Sequence, residues 1–259
     1  LQHATTSLVL PSSPPHIQNT MTPIFWPALC YTAGRILGLT GFALATLLFS
    51  SGSIEAETLP AGFAERQYAH GLTNPTAMAF APDPCPASGT PVHRLFVCEQ
   101  AGRVRVFHNG VLQPNAFLTV VADTRGERGL DGICFDPNFA SNHYVYLYYT
   151  IRQADDSLPT HNRLIRVTAD PSNPDVALAG SARPIMEMDD LAAGSFVHNS
   201  GGMHFGPYGK FYVSVGENGH GSNAQSFSTV LGKILLINPV PENAAGQNPD
   251  STFPTDNPF

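Results

Sequence analysis

The segment Val197–Asn218, VHNSGGMHFGPYGKFYVSVGEN, concentrates the side chains best suited to chemistry in this chain of 259 residues. His198, Asn199 and Ser200 run directly into two glycines, which permit a sharp turn and a close approach of backbone to a ligand. A neutral imidazole there can take a proton from a hydroxyl, because its reference pKa is about 6.5. The bland alternative is a loop histidine bonded to backbone. His204 lies within the following apolar run. Strand alternation puts it on one face with Gly202 and Gly206, opposite Met203 and Phe205, and it reads as a satisfied core histidine. A metal pair of His198 and His204 has only Glu217 as a candidate third ligand.

A second loop, Thr124–Gly132 or TRGERGLDG, sets Glu127 and Asp131 beside glycines. Carboxylates placed so can bond sugar hydroxyls, hold a cation, or stay solvated. Glu99–Gln100 and Glu217–Asn218 end apolar runs and read as a polar rim at equivalent positions. No GxSxG elbow, P-loop or GxGxxG is found. Gly216–Gly221, GENGHG, follows a strand without opening a helix and reads as a loop.

An internal repeat positions these residues. Ala77–Pro82 (AMAFAP), Gly132–Pro137 (GICFDP) and Gly202–Pro207 (GMHFGP) each end Phe-x-Pro, an apolar strand closed by a proline turn. Each is followed by a second apolar run (RLFV, YVYL, KFYV) and a third (GRVRVF, NRLIRV, GKILLI). Aromatic and β-branched residues dominate, as half-buried strands require. Residues 116–121 and 177–186 are candidate fourth strands. A single sheet cannot cover both its faces, so the units must stack radially as blades of a β-propeller. The fold class is all-β, with His198 and Glu127 just before first strands, near the channel mouth. Loops of equivalent blades then converge on one ligand. A β-sandwich is the competing architecture, but its strands do not recur in three-strand blocks with one turn signature.

Composition agrees. Charged residues make up 13% of the chain and glycine and proline number 23 each, the profile of short strands and many turns. The net charge of −7 with no basic run argues against nucleic acid, whose binding needs clustered Lys and Arg. Met21 reads as a start, leaving 1–20 as an unpatterned upstream arm. Residues 21–56 read as a signal peptide: Arg35, the apolar run Ile36–Phe49, then a small polar stretch ending SIEA. A membrane role arises only if that leader stays uncleaved as an anchor. Residues 57–259 form the propeller portion. Cys85 and Cys98 are a candidate disulfide pair, with buried inert thiols as the alternative. Three blades do not close a ring, so further blades are expected after Phe259.

Taken in order, GLTNPTAMAFAPD, GRVRVF, ERGLDGICFDPNFASNHYVYLYYT, NRLIRV, HNSGGMHFGPYGKFYVSVGEN and LGKILLINP resemble the glucose/sorbosone dehydrogenase family. These are six-bladed propellers that use pyrroloquinoline quinone and Ca²⁺. The likeness covers about residues 62–259. It implies that His198, in the H-x-x-G motif, is the general base as hydride passes from a sugar to the quinone. It implies sugar contact by Glu127 and Asn199. The quinone and calcium ligands are then expected in later blades. The implied partners are a small-molecule sugar and a soluble electron acceptor, in the periplasm or outside the cell. The arginine that often follows H-x-x-G is Gly202 here, the acidic residue that can precede the histidine is Val197, and Gly-Leu-Leu-Gly reads Gly129–Gly132 with Asp131 inside it. Those departures keep two alternatives open: a non-catalytic propeller that binds carbohydrate or protein, and a calcium-dependent lactonase-like hydrolase using Glu99, Glu127 and Glu217.

Overall fold

The computed structural model describes residues 59–83, 92–155 and 157–239. The upstream arm, the leader at 21–56 and Cys85 lie outside the described residues. Within them the predicted three-fold repeat becomes three antiparallel sheets. The first holds β1 (Pro75–Phe80), β2 (Arg94–Glu99), β3 (Arg103–His108), β4 (Val111–Leu112) and β5 (Leu118–Thr119). The second holds β6 (Leu130–Phe135), β7 (Tyr144–Thr150), β8 (His161–Asp170), β9 (Asn173–Ala177) and β10 (Arg183–Asp190). The third holds β11 (Ser200–Phe205), β12 (Phe211–Val215) and β13 (Lys233–Ile237). One short helix, α1 (Phe139–Asn142), joins β6 to β7.

All nine strands read from the repeat are present. The fourth positions differ from expectation. In place of one strand at 116–121, β4 and β5 both pair with β3. In place of one at 177–186, β9 and β10 both pair with β8. An outermost strand has a neighbour on one side only, so a short stretch of pairing suffices and the chain between is free to loop out.

The first strands converge. β6 packs against β1 on one side and β11 on the other, the radial arrangement of propeller blades. Alternation along β7 shows how blades join. Val145, Leu147 and Tyr149 pack toward the first sheet with Phe96, Val104 and Phe117. Tyr146 and Tyr148 face the third sheet with Phe211, Val213 and Leu235. Burying each such side chain stabilises by about 1.5–3 kcal/mol. Phe96 meets Phe117 and Phe135 edge-on, with centroids 5.2 and 5.0 Å apart, a geometry that adds about 0.5–1.5 kcal/mol.

Each repeat phenylalanine faces the preceding sheet. Phe135 lies against the first and Phe205 against the second. Phe80 has no sheet before it among the described residues and is 55% exposed, leaning on Tyr68. His204 faces away from Met203 and Phe205 as expected, onto a side of the third sheet that nothing covers among the described residues; it is exposed there, opposite Tyr212 and on the same face as Ile234 at 76% exposure. Cys98 is buried with a free thiol, and burial pushes its pKa up. No helix among the described residues is long and apolar enough to cross a membrane.

Candidate active site

The loops that enter β6 and β11 meet at one end of the sheets. All three first strands break register near their start, between Pro75 and Ala77, Leu130 and Gly132, and Ser200 and Met203. Such bulges re-aim side chains beside active sites. Here they take Thr76, Asp131 and the Gly201–Gly202 pair out of the ladder.

His198 stands just before β11 with φ +55°, and Ser200 follows with φ +67°. For residues with a Cβ, left-handed backbone costs about 1–2 kcal/mol each. The surroundings hold it there. The His198 N–H donates to Glu127 Oε2 at 2.7 Å, and its carbonyl accepts from the Asn218 N–H at 3.3 Å. That carbonyl also occupies the space a side chain at 216 would need, since a Cβ on Gly216 would lie 1.6 Å from it. Glycine at 216 is therefore a packing requirement.

The imidazole pairs through Nδ1 with Glu217 Oε1. A carboxylate can only accept, so the proton sits on Nδ1 and Nε2 keeps a free lone pair. The side chain is 56% exposed, so Nε2 is open to a ligand. The hydrogen bond donated to Glu217, then the charge of that carboxylate, raises the His198 pKa above its ordinary value, and the charge of Glu127 adds to this. The same hydrogen bond holds Glu217 below the usual carboxylate range. Asp131, released by its bulge, is pushed up to about 7 by burial and then by the charge of Glu127.

Asn199 lies beneath this turn at 2% exposure. Its carbonyl accepts from the Tyr148 hydroxyl at 3.1 Å and the Asn162 amide at 3.5 Å, while its own amide atoms have no partner among the described residues. Glu99 sits apart from His198: it is buried, ion-paired to Arg103 at 2.8 Å, and accepts the Thr73 N–H at 2.8 Å. The register also separates Glu99 from Glu217. Phe80 pairs with Leu95 and Phe205 with Phe211, which sets Glu99 level with Val215 rather than with Glu217.

One residue that matters was read only as rim. Asn218 is buried with φ +57°. Its side chain accepts the Ala192 N–H at 2.7 Å and donates to the Ser195 and Val197 carbonyls at 3.3 Å. It thereby shapes the loop that delivers His198. Asparagine tolerates left-handed backbone better than most residues, and that was the available signal.

The site lies inside a recognisable sequence frame. The model of the glucose/sorbosone dehydrogenase family matches residues 72–259. The chain belongs to that family. Quinoprotein glucose dehydrogenase B of Acinetobacter calcoaceticus is 25% identical over 256 residues, covering 88% of this chain and 47% of that protein. The Hedgehog-interacting protein of Mus musculus is 31% identical over 140 residues, covering 50% of this chain and 20% of that one. This family member thus spans less than half the length of these curated relatives. Among solved structures, the pyrroloquinoline-quinone-bound aldose sugar dehydrogenase of Streptomyces coelicolor matches with TM-score 0.57 and 26% identity. The match covers 75% of this chain and 50% of that one.

Pyrroloquinoline quinone is a polycarboxylate and calls for cations. Arg125 and Arg128, in the loop beside His198, instead pair with Asp123 at 2.7 and 2.8 Å. Burial alone would raise the Asp123 pKa, but those arginines bring it down to about 2. Among the described residues no group of three or more His, Cys, Asp or Glu side chains is arranged to hold a metal ion. These residues fit a base and its supports; they do not by themselves fit a cradle for the quinone or for Ca²⁺.

Proposed function

We propose that the full-length protein oxidises an aldose-type sugar with His198 as general base and pyrroloquinoline quinone as hydride acceptor. The observation that carries this is the exposed imidazole whose Nδ1 is committed to Glu217 and whose Nε2 is open. Pyrroloquinoline quinone and Ca²⁺, held by residues beyond those described, would supply the hydride acceptor and its polarisation. The chain's own residues do the rest. Nε2 takes the hydroxyl proton, and Glu217 fixes the tautomer and stabilises the imidazolium that forms. The resemblance implies sugar contact by Glu127 and Asn199, but Asn199 is only 2% exposed with both side-chain amide atoms buried, so in this reading it supports the His198 turn from beneath and only the exposed Glu127 can reach a sugar. A soluble electron acceptor, and export to the periplasm or beyond through the leader at 21–56, belong to the same proposal.

The test uses the full-length protein with quinone and Ca²⁺, following dye reduction across a panel of aldoses. His198→Ala should lower turnover by about 10²–10⁴-fold while leaving quinone binding intact. Unchanged turnover would sink the assignment. A second reading, a propeller that binds a protein or carbohydrate without catalysis, draws support from the likeness to Hedgehog-interacting protein. Failure of the full-length protein to bind quinone or reduce dye would favour it.

A further inference from the structure

The loop before β6 grips the loop before β11 at successive points. The Glu127 N–H donates to the Phe196 carbonyl at 2.8 Å, and its carboxylate returns to accept the His198 N–H at 2.7 Å. One residue thus brackets two alternate positions of the neighbouring blade, as a strand residue would. Arg128 donates to the Ser195 carbonyl at 2.8 Å, and the Arg125 and Arg128 guanidiniums lie 5.2 and 4.8 Å from the Phe196 ring centroid. Gly126 allows the approach, since a Cβ there would lie 2.6 Å from the Phe196 carbonyl oxygen. The gripping loop is itself anchored from the first sheet. Gln100 Nε2 donates to the Gly126 and Arg128 carbonyls at 2.8 and 2.9 Å, and the Gln100 carbonyl accepts the Leu130 N–H at 3.1 Å.

We infer that Glu127 is a positioning residue for His198: its carboxylate acts chiefly on the His198 backbone, across the blade boundary, and only secondarily on the sugar. This rests on the reading of His198 as the base. The geometry favours it over a sugar-contact role because one oxygen of Glu127 is already engaged at 2.7 Å by a backbone N–H. That N–H belongs to a residue in left-handed backbone. Without the acceptor the turn can relax toward ordinary φ, which would swing the imidazole away from Glu217. A misplacement of this kind costs rate rather than affinity.

The variants are Glu127→Ala and Glu127→Gln in the full-length protein. Glu127→Gln keeps an acceptor oxygen; Glu127→Ala removes it. Glu127→Ala is expected to lower kcat roughly 10- to 100-fold with the sugar KM within about twofold. Glu127→Gln should recover most of kcat. The charged and titratable groups around the imidazole are Glu217, Glu127 and, behind Glu127, Asp131. Glu127→Gln should therefore also move the acidic limb of the pH profile slightly downward. A KM rise in Glu127→Ala at unchanged kcat would overturn the inference and restore Glu127 as a sugar contact. A separate readout needs no turnover: the His198 imidazole titration, followed by NMR. It should fall toward the ordinary histidine value in Glu127→Ala by more than in Glu127→Gln, because only the former loses the Glu217 pairing. Equal titrations would also overturn the inference. If His198→Ala retains activity but these titrations separate as expected, the general-base reading has failed and the positioning of His198 by Glu127 has not.

Discussion

Glu99 and Glu217 stand at the same end of the first and third sheets, each next to the exit of a second strand. Glu99 still belongs to its strand and is buried against Arg103, Arg105 and the Thr73 N–H. Glu217 lies two residues past β12 and reaches outward to an exposed histidine. Two residues of register separate a carboxylate that ties a blade to its entering chain from one that tunes a base. Residue type and general location are shared; burial and the identity of the cation decide the role. A buried carboxylate must be fully paired to be tolerated, whereas the half-buried Glu217 is free to tune an exposed side chain of its own blade.

The contrast can be broken by substitution at each end. Glu99→Ala should have the largest effect, a loss of about 3 kcal/mol in stability, because it strands two arginines and a backbone donor. Urea unfolding of the full-length protein would read it, while turnover per folded molecule should change little. The matching Glu217→Ala should leave stability within about 0.5 kcal/mol. Should Glu217→Ala prove the more destabilising of the two, the division of roles would collapse.

Gly216→Ala should come next. It forces the His198 carbonyl out of its place and is expected to lower kcat about 100-fold, with KM nearly unchanged. Glu217→Gln should be mildest, about tenfold in the plateau rate. The sign of its pH effect follows from the base role. His198 must be neutral to accept a proton, and Glu217 raises its pKa, so activity climbs with pH through that raised value. With Gln the His198 pKa falls back and the acidic limb moves to lower pH. An acidic limb unmoved by Glu217→Gln would mean that another group limits the rate.

Much of the fold was legible because a repeat declares itself. Phe80, Phe135 and Phe205 with their prolines, and the apolar runs after each, gave nine strands by spacing alone. The outer strands were not legible: β4, β5 and β9 pair through short stretches that leave little pattern, and the longer β10 is broken by two register shifts. His198 could be singled out from its type and the glycines after it. Its partner was not legible: the register of Phe205 with Phe211 alone would set Glu217 opposite Asn199, and only the bulge between Ser200 and Met203, which pairs Ser200 with Val215, sets His198 opposite Glu217. Glu127 is different in kind. It reaches His198 across 71 positions of sequence, a contact created only when two blades stack. For His204 alternation tells which residues share a side, and not what covers it.

The anchoring of the Gly126–Leu130 loop has a consequence for how such proteins diversify. Gln100 holds the loop from one blade while Glu127 and Arg128 hold Phe196 and His198 on the next but one. A blade taken by recombination from a paralogue would bring either the grip or the thing gripped, seldom both. Any crossover between Gln100 and His198 would divide this linkage, one at the outer turns near residues 170–182 included. The units share one strand plan, and this linkage makes them non-interchangeable parts.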